Sequence, residues 1–371
     1  MLARLLRHHG VDVTVLSLTE QRTESVGPAL QQAGVRVVCM PPSSAHGLLD
    51  ARRFLRVLSF VRRDRFDLVH SHLFYANSIG CLAARLCGTP AIATLHDTGQ
   101  DPRGLTRVKE RIEGLLLRRA ASAVAAVGEA VARAHVAKAR PGRMVVLPNP
   151  VSGTVHLTEE QRRVLREQLT GDPARPLLVS ASRLSAQKGH ADLVHAFAAV
   201  RRNHPTAVLV LAGHGPLHAD LQRLVTELGL DASVSLVGWR DDVPQLLAAA
   251  DAYLSASLWE GSPLVILEAM GAGLPVVATA VGDVPSLLSD GRGLLVAAGD
   301  VAGLARAMST VLTDAEMAAR MAAAARRYVF DVHDAERWRK KVTALYAAVQ
   351  PSVAWDRGPS PEKARPGPCA G

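Results

Sequence analysis

Short apolar runs typical of buried strands alternate with stretches of helical periodicity along most of the chain. Parallel strands need a crossover between them, and a helix supplies it, so strand–helix–strand repeats form parallel sheets with helices on their faces. The alternation therefore predicts an α/β fold with doubly wound sheets. The strand-like runs are 11–16, 35–39, 67–70, 91–96, 123–127, 144–147, 177–180, 207–211, 234–237, 252–258, 276–280 and 293–296.

The chain is too long for one ordinary hydrophobic core. Its 371 residues exceed the size, about 250–300 residues, at which single cores stop growing. The segment 147–154 (LPNPVSGT) contains two prolines and a glycine, which suits a linker between domains. We therefore predict two α/β domains of similar size, at 1–150 and 151–332. Residues 351–371 are rich in Pro and Gly, and we expect them to be disordered.

Positive charge is concentrated in the first half. Residues 1–150 contain 21 Lys and Arg against 11 Asp and Glu, whereas residues 151–371 contain 22 against 23. A basic surface is typical of proteins that contact anionic membrane, anionic substrate or nucleic acid, and a solvated arginine-rich surface explains it equally. The aromatic content of 4% offers little stacking surface for bases, which disfavours a nucleic-acid binder.

The stretch 103–119 predicts an amphipathic helix whose remaining surface is strongly basic. Two interpretations stay open. Its apolar face packs on the sheet, or the helix rests on anionic lipid. The apolar positions are Leu105, Val108, Ile112, Leu115 and Leu116.

Neither a cleaved leader nor a membrane span is apparent in the sequence. The stretch 68–84, which no other stretch without Asp, Glu, Lys or Arg exceeds in length, contains two histidines and an asparagine and fits a strand plus a helix. The cysteines, Cys39, Cys81, Cys87 and Cys369, show no C-x-x-C spacing. This favours reduced thiols in a cytoplasm and argues against a zinc site.

The stretch 251–286 holds two glutamates in an apolar context. Glu260 follows a strand-like run, and Glu268 lies farther along a predicted helix. The residues just after Glu260 are expected to form a turn, with Ser262 as the helix cap and Pro263 as the first helical residue. A turn that leads into a helix N-terminus offers free N–H groups and a positive dipole end. Carboxylates beside such an anion site predict a ligand with both hydroxyls and phosphate.

Basic and glycine-rich motifs follow two other strands of the second half. Arg183 and Lys188 come after the run 177–180, and the G-H-G motif at 213–215 follows the run 207–211. In open parallel sheets, ligands bind outside the carboxyl ends of the strands. Arg and Lys side chains there can hold phosphate oxygens. Because all three features follow strands of one domain, we interpret them as parts of one ligand site.

These motifs resemble those of the family-4 retaining glycosyltransferases (glycosyl transferases group 1), which have the GT-B fold. The resemblance covers nearly all of residues 1–350. It implies two doubly wound Rossmann-like domains that face each other across a cleft, the first for the acceptor and the second for the donor. It also implies a helix at 333–350 that packs back on the first domain. The matching motifs are SRLSAQKG (182–189), LAGHGP (211–216), LVGWRDDVPQLLAAADAYLSAS (236–257), EGSPLVILEAMGAGLPVVATAVG (260–282), GLLV (293–296), DLVHSH (67–72), TLHDT (94–98) and VLPNPV (146–151).

The resemblance implies a role for each matching side chain. Arg183 and Lys188 match the pair that binds the donor diphosphate and stabilises its charge as it leaves. Glu268 matches the carboxylate that binds the ribose hydroxyls, and Glu260 matches the one that contacts the transferred sugar. His96 matches a histidine that faces the donor sugar across the cleft, although a purely structural histidine at a strand end is the alternative. We expect Glu260, Arg183, Lys188 and His96 to be catalytic.

The expected donor surface extends beyond these side chains. The N–H groups of the turn after Glu260 match a phosphate cradle, and the residues after the run 234–237 match those beside the base. The full expected donor-binding set is Arg183, Lys188, Gly213, Gly238, Trp239, Arg240, Glu260, Gly261, Ser262, Pro263, Leu264 and Glu268.

The resemblance also implies the reaction. A sugar moves from a UDP- or GDP-sugar to an acceptor hydroxyl with retention, in polysaccharide, glycolipid or cell-envelope glycan synthesis. Fixed cations and a helix end aimed at the leaving diphosphate can stabilise it without a metal, and no D-x-D motif is present, so we expect no metal or cofactor. The expected partners are a nucleotide sugar and a glycan or lipid-linked acceptor, without nucleic acid. The expected location is the cytoplasm, with peripheral contact at the inner face of the membrane.

Departures from the family pattern leave alternatives open. The family begins with a strand and a glycine-rich loop, whereas Met1 lies in the helix that follows, so we expect both to be lacking in this sequence. Asp283 and Ser286 stand where the family often has Gly and Glu. The alternative function is a degenerate, non-catalytic sugar-nucleotide-binding protein. A dinucleotide oxidoreductase is disfavoured because no G-x-G-x-x-G motif is present.

Overall fold

The computed structural model describes residues 1–18, 27–40, 51–99, 105–151, 153–356 and 358. Every pairing between the strands named below is parallel, which confirms the predicted α/β class with doubly wound sheets. Over these described ranges, no helix is both long enough and apolar enough to cross a membrane.

Helices and strands alternate through the first half. The elements are α1 (Leu2–His8), β1 (Thr14–Ser17), α2 (Gly27–Gln32), β2 (Arg36–Cys39), α3 (Ala51–Asp64), β3 (Val69–His72), α4 (Phe74–Leu86), β4 (Ala91–Leu95), α5 (Leu105–Ala120), β5 (Ala123–Ala126), α6 (Glu129–His135), a 3-10 turn (Val136–Lys138) and β6 (Met144–Val146). The strands form two ladders, β1–β2 and β3–β4–β5–β6. Every residue of β4 and β5 is buried because apolar clusters cover both faces of this sheet.

The second half has the same alternation on one larger sheet. The elements are α7 (Glu159–Thr170), β7 (Leu177–Ala181), a 3-10 turn (Ala186–Lys188), α8 (His190–Val200), β8 (Val208–Ala212), α9 (His218–Glu227), β9 (Val234–Gly238), α10 (Val243–Ala249), β10 (Ala252–Ser255), α11 (Leu264–Ala272), β11 (Val276–Thr279), α12 (Val284–Leu288), β12 (Leu294–Val296), α13 (Val301–Thr313), α14 (Ala315–Val332) and α15 (Ala335–Val349). Every residue of β7, β8, β10 and β11 is buried, as the continuous apolar runs predict.

The strand order of the second sheet creates a crevice. Its order is β12–β11–β10–β7–β8–β9, so the chain leaves β7 toward one side and later returns to place β10 on the other. The connections that follow β7 and β10 therefore run toward opposite sides of the sheet, and a crevice lies between their starting points. Such a topological switch point is where open α/β sheets bind their ligands.

Helix α15 packs against the first domain, far from its neighbours in sequence. One apolar cluster joins α15 to α1 and to the strands of the first sheet. Its buried members are Leu6, Ile92, Ala123, Ala125, Leu147, Val342, Leu345, Tyr346 and Trp355. The first domain therefore takes part of its core from the far end of the sequence.

The expected disorder of 351–371 is wrong for residues 351–356. Trp355 is only 8% exposed and joins the cluster around α15. Its Nε1 donates to the carbonyl of Gln350 (3.0 Å), and Arg339 Nη1 donates to Asp356 (3.0 Å). The buried area of one indole outweighs the Pro- and Gly-rich composition of the segment. Apart from Gly358, the residues after 356 lie outside the described ranges.

Helix α5 packs on the core of the first domain through the buried Leu117, and not through the apolar row that the first interpretation required. Val108, Ile112 and Leu115 are 52%, 43% and 52% exposed. The helix instead turns Glu113 inward, where Lys138 Nζ donates to its carboxylate at 2.7 Å. This ion pair satisfies the buried charge, and its inward position leaves a row of apolar side chains facing outward. The side chain of Leu105 lies outside the described residues.

Two segments of chain join the domains side by side. Val151 and Asp334 form a parallel bridge, and Val151 N donates to the carbonyl of His333 (2.9 Å). The Nδ1 atom of His333 donates to the carbonyl of Asn149 (2.6 Å). The linker between the domains is thus tied to the segment that leads into α15.

Candidate active site

A buried ion pair spans the switch point. Lys188 lies in the loop after β7, and Glu260 lies in the loop after β10. Lys188 Nζ donates to Glu260 Oε1 at 2.5 Å, and Ser257 Oγ donates to the same oxygen at 2.7 Å. The Glu260 side chain is 8% exposed and that of Lys188 is 20% exposed. The structure therefore brings together two predicted residues that are 72 positions apart in sequence.

The two loops can meet this closely because Gly189 has no side chain. Its φ is +61°, and a Cβ there would fall 2.0 Å from the carbonyl oxygen of Ala256. Two hydrogen bonds of Gln187 then join the loops. Leu258 N donates to the carbonyl of Gln187 (2.7 Å), and Gln187 Nε2 donates to the carbonyl of Trp259 (2.9 Å). The position of Lys188 beside Glu260 is fixed by the backbone as well as by charge.

Arg183 lies on the same loop with its side chain free. It is exposed and makes no side-chain hydrogen bond or ion pair with any residue that the structure describes. Its backbone is held against the loop after β8: Leu184 N donates to the carbonyl of His214 (3.1 Å). A Cβ at Gly213 would fall 1.9 Å from the carbonyl oxygen of Ser182. Gly213 therefore allows the two loops to approach.

The turn after Glu260 leads into helix α11, but its cap differs from the prediction. The helix begins at Leu264 with Pro263 as its cap residue, so the expectation that Ser262 caps it is wrong. Ser262 is buried, and its carbonyl accepts from Asn149 Nδ2 (2.9 Å), a contact across the domain boundary. The fixed φ of proline suits the position either way. The first N–H groups of α11 still point out of the helix without intrahelical partners.

Glu268 lies on α11 with its carboxylate unpaired. It is half-buried and makes no side-chain hydrogen bond within the described part of the chain. Burial raises the pKa of its carboxyl group because the charged form loses water. A desolvated carboxylate without a partner is well suited to accept hydrogen bonds from hydroxyl groups of a ligand.

The residues after β9 form the side of the crevice. Gly238 has φ +69°, and its carbonyl accepts from Gly213 N at 2.7 Å. Trp239 is 57% exposed, with Nε1 donating to Asp241. Arg240 is held by Asp242 through two hydrogen bonds of 2.5 and 2.8 Å, so its charge is largely engaged. The indole face of Trp239 is the more available surface for a flat ring.

His96 reaches the boundary from the first domain. Its carbonyl oxygen lies 1.9 Å from where a Cβ of Gly261 would fall, and Asp97 forms an antiparallel bridge with Gly261. Thr98 Oγ1 donates to the carbonyl of Glu260 (2.9 Å). The structure thus places His96 beside the turn that carries Glu260, as the cleft arrangement requires.

His96 is one of three histidines in contact. Its Nε2 lies 3.0 Å from His72 Nδ1, and burial lowers the pKa of the His96 ring. His70 lies between Thr94 Oγ1 (2.6 Å) and the Tyr346 hydroxyl (2.7 Å), a structural role that ties β3 to α15. The His96 ring is therefore mostly neutral at pH 7 and can offer a hydrogen bond.

Sequence reasoning missed the contacts through which several residues hold the site. Ser257 donates to Glu260, and its nearness to that glutamate in sequence was an available signal. Asp283 is buried, and its Oδ1 accepts from Ala130 N (2.7 Å) across the domain boundary. A Cβ at Gly128 would overlap the Asp283 carboxylate at 1.7 Å. This contact between Asp283 and the start of α6 joins positions far apart in sequence, and no sequence pattern predicts it.

Among the described residues, no group of three or more His, Cys, Asp or Glu side chains lies close enough together to hold a metal ion. Positive charge comes instead from Lys188, the free Arg183 and the N-terminus of α11.

Two Rossmann-like domains that meet at the ligand ends of their sheets, with paired cations and carboxylates between them, define a GT-B glycosyltransferase. Comparison with known proteins agrees. The family model for "Glycosyl transferases group 1" matches residues 161–328, and that for "Glycosyl transferase 4-like domain" matches residues 1–150. The chain belongs to the group 1 glycosyltransferases.

Individual relatives are distant but cover most of the chain. It is 26% identical over 278 residues, 71% of each chain, to the UDP-Gal:alpha-D-GlcNAc-diphosphoundecaprenol alpha-1,3-galactosyltransferase of Escherichia coli. It is 27% identical over 301 residues, 78% of this chain and 77% of the relative, to the N-acetyl-alpha-D-glucosaminyl L-malate synthase of Bacillus anthracis. The structure of Anabaena Alr3699/HepE in complex with UDP-glucose superposes with a TM-score of 0.82 at 24% identity, covering 94% of each chain. This last likeness establishes the fold.

Proposed function

We propose that this glycosyltransferase moves a sugar from a UDP- or GDP-sugar to a hydroxyl of a glycan or lipid-linked acceptor, with retention and without a metal ion or cofactor. The observation that carries the proposal is the Lys188–Glu260 pair across the switch point, with the free Arg183 beside it. The names of the relatives support the donor class, since the Escherichia coli protein uses UDP-Gal and the Anabaena structure contains UDP-glucose.

In this proposal the donor binds along the crevice. Its diphosphate meets Arg183, Lys188 and the N-terminus of α11, which together offer two full charges and free N–H groups. The half-buried carboxylate of Glu268 accepts from the ribose hydroxyls. The base lies toward Trp239.

The ligand-free ion pair adds a step to donor binding. Lys188 is held by Glu260, and a diphosphate carries more negative charge than one carboxylate. The donor therefore draws Lys188 toward its phosphates, and Glu260 becomes available to the sugar hydroxyls while Ser257 still donates to it. The same movement gives Glu260 its place at the transferred sugar.

The chemistry follows from this placement. The bond between the anomeric carbon and the phosphate oxygen breaks, and its electron pair stays on the diphosphate. Arg183 and Lys188 stabilise this charge, and the anomeric carbon becomes oxocarbenium-like. The acceptor oxygen forms the new bond on the same face, and its proton passes to the leaving phosphate oxygen. His96 donates or accepts one hydrogen bond at the sugar from the opposite wall.

Arg183→Ala tests this proposal with little risk to the fold, because the side chain is exposed and unpaired within the described structure. A thermal-shift panel of nucleotide sugars first identifies a donor that binds. We then expect turnover of that donor to fall about 10²–10³-fold in Arg183→Ala. Arg202→Ala, an exposed arginine at the end of α8, serves as the matched control.

The outcomes separate the alternatives. Wild-type turnover in Arg183→Ala, with a donor that demonstrably binds, would refute the assignment of this loop. Binding of a nucleotide sugar without turnover by the wild type would support the degenerate, non-catalytic alternative. Chelator-treated protein should keep its activity, and a product analysed by NMR should keep the anomeric configuration of the donor.

We also propose peripheral contact with the inner face of an anionic membrane, through the outward row of α5. Val108, Ile112 and Leu115 are exposed on the same side of this helix, and exposed Arg111 and Arg118 accompany them. An exposed apolar row with flanking arginines is typical of helices at a lipid interface.

Vesicle co-sedimentation tests the membrane contact. Wild-type protein should pellet with phosphatidylglycerol vesicles, less so at high salt, and Ile112→Asn should reduce this binding several-fold. Phe330→Asn, at an exposed apolar position of α14, is the control. Equal binding by the two variants would contradict the role of α5.

A further inference from the structure

A cavity of about 260 Å³ opens in the first domain beside the proposed reaction centre. It lies between the end of β4, the start of α4 and one face of α5. Its described wall includes His96 and Asp97, the residues whose backbone contacts Gly261 of the donor turn. The cavity therefore borders the cleft opposite the donor loops. Of its wall residues, only His96 has a role in the proposed reaction.

The wall of this cavity combines apolar and polar surface. Leu73, Phe74 and Leu95 supply the apolar part of the described wall. Its volume lies just below the range of about 300–1,000 Å³ that is typical of pockets for drug-sized ligands. It suits a single ring better than an extended chain. An aromatic and aliphatic wall fits the C–H face of such a ring.

The charges around the cavity disfavour an anionic guest. Lys138 is already paired with Glu113 at 2.7 Å, which leaves Lys109 as the unpaired cation among the described wall residues. Two carboxylates, Glu110 and Asp97, oppose it, and neither is ion-paired with a described residue. The described part of the wall carries two Lys against three carboxylates, a formal balance of −1 while its histidines are neutral. Carboxylate oxygens accept hydrogen bonds, so the guest should donate them.

A guest with an apolar face, several hydroxyl donors and no charge is a sugar. We propose that this cavity binds an uncharged monosaccharide ring, the accepting end of the acceptor. This rests on the proposed function and deepens it by naming the chemistry of the acceptor. Glu110 accepts from hydroxyls of the ring, and the ring stacks on the side of Phe74.

The same helix separates the two proposed surfaces. Lys109, Glu110 and Glu113 face the cavity, whereas Val108 and Ile112 face outward. A sugar carried on a lipid could therefore enter the cavity while its lipid stays on the outer side of α5. The geometry thus suits both lipid-linked and free glycans.

Ligand-observed NMR with methyl glycosides tests this proposal without nucleotide. The probes are the methyl α-glycosides of glucose, galactose and N-acetylglucosamine, with glucose 1-phosphate as the charged comparison. We expect at least one methyl glycoside to bind the wild type, and glucose 1-phosphate to bind no more tightly. Glu110→Gln should raise the Kd of that glycoside about tenfold or more, because a hydrogen bond to a charged acceptor is lost. Phe74→Ala should weaken binding as well.

The control is Glu227→Gln, the same change at an exposed glutamate of α9. Absence of any glycoside binding, equal Kd values for Glu110→Gln and Glu227→Gln, or binding only of glucose 1-phosphate would each overturn the proposal. Because no nucleotide is present, these outcomes are independent of donor turnover. Donor turnover without glycoside binding would leave the proposed function intact and refute this acceptor site alone.

Discussion

Removing the cation of the buried pair should destabilise the ligand-free protein more than removing the anion. In Lys188→Ala, the Glu260 carboxylate keeps only the hydrogen bond from Ser257 in a site where its side chain is 8% exposed. In Glu260→Gln, the lysine is 20% exposed and can reach water, and the amide oxygen can still accept from Ser257. The loss of Lys188 should therefore cost more stability than the loss of the Glu260 charge.

The expected magnitudes follow from this difference. Breaking a buried ion pair by removing one partner costs about 3–5 kcal/mol, and the remaining Ser257 bond and partial exposure reduce this to about 2–4 kcal/mol for Lys188→Ala. Glu260→Gln removes the charge of the acceptor, and the lysine that remains can be resolvated, so the expected cost is about 0.5–1.5 kcal/mol. The double variant should cost less than the sum, because no unpaired buried charge remains.

Thermal unfolding of the ligand-free protein shows which of the two single variants loses more stability. With about 2–4 °C per kcal/mol for domains of 150–250 residues, Lys188→Ala should lower the Tm of the second domain by roughly 4–16 °C. Glu260→Gln should lower it by a few degrees at most. Lys340→Ala, an exposed lysine of α15, is the matched control.

Equal Tm values for Lys188→Ala and wild type would refute the reasoning, since they would mean that Glu260 is not buried against this lysine in solution. A larger loss in Glu260→Gln than in Lys188→Ala would refute it as well. Strict additivity in the double variant would show that the two side chains do not interact.

Three further predictions concern other parts of the protein. Glu268→Gln should weaken nucleotide-sugar binding about tenfold or more by calorimetry, and it should raise the Tm at pH 8. Burial raises the pKa of Glu268, so its charged form lowers the stability of the protein as pH rises through that pKa. The gain in Tm should therefore vanish at low pH, where the glutamate is protonated. A gain that persists at low pH would contradict this explanation. Gly261→Ala places a Cβ 1.9 Å from the His96 carbonyl oxygen and should lower turnover about a hundredfold by displacing the donor turn, whereas Gly153→Ala, with open space around it, should not. Trp355→Ala should destabilise the first domain by about 3–5 kcal/mol in urea unfolding, and an unchanged midpoint would show that the end segment does not pack.

The second domain could be anticipated in detail because its signals are local. The apolar runs around 177–180 and 276–280 are buried strands, and Lys188 and Glu260 follow strands that prove to be neighbours. Strand order was not readable from the runs themselves. Their meeting at 2.5 Å depends on that order, and the prediction of one shared site succeeded because ligands gather at the carboxyl ends of parallel strands.

The first domain shows why the remainder could not be anticipated. Helix α5 has a clear apolar row, yet the inward ion pair of Glu113 and Lys138 leaves Val108 and Ile112 outside. Periodicity reports which side chains share a face, and partners distant in sequence decide which face is buried. The same holds for Trp355, whose partners on α15 and α1 outweigh the Pro- and Gly-rich composition around it.

Helix α15 also has a consequence for synthesis of the protein. The last strand of the first domain ends at Val146, and the helix that completes its core starts at Ala335, roughly 190 residues later. At about 5–20 residues per second, a ribosome needs roughly 10–40 s to cover that distance. During synthesis, the apolar surface of the first domain that α15 covers therefore stays exposed while the second domain folds. The protein should be most vulnerable to aggregation and proteolysis during this interval, before α15 packs on α1 and the first sheet.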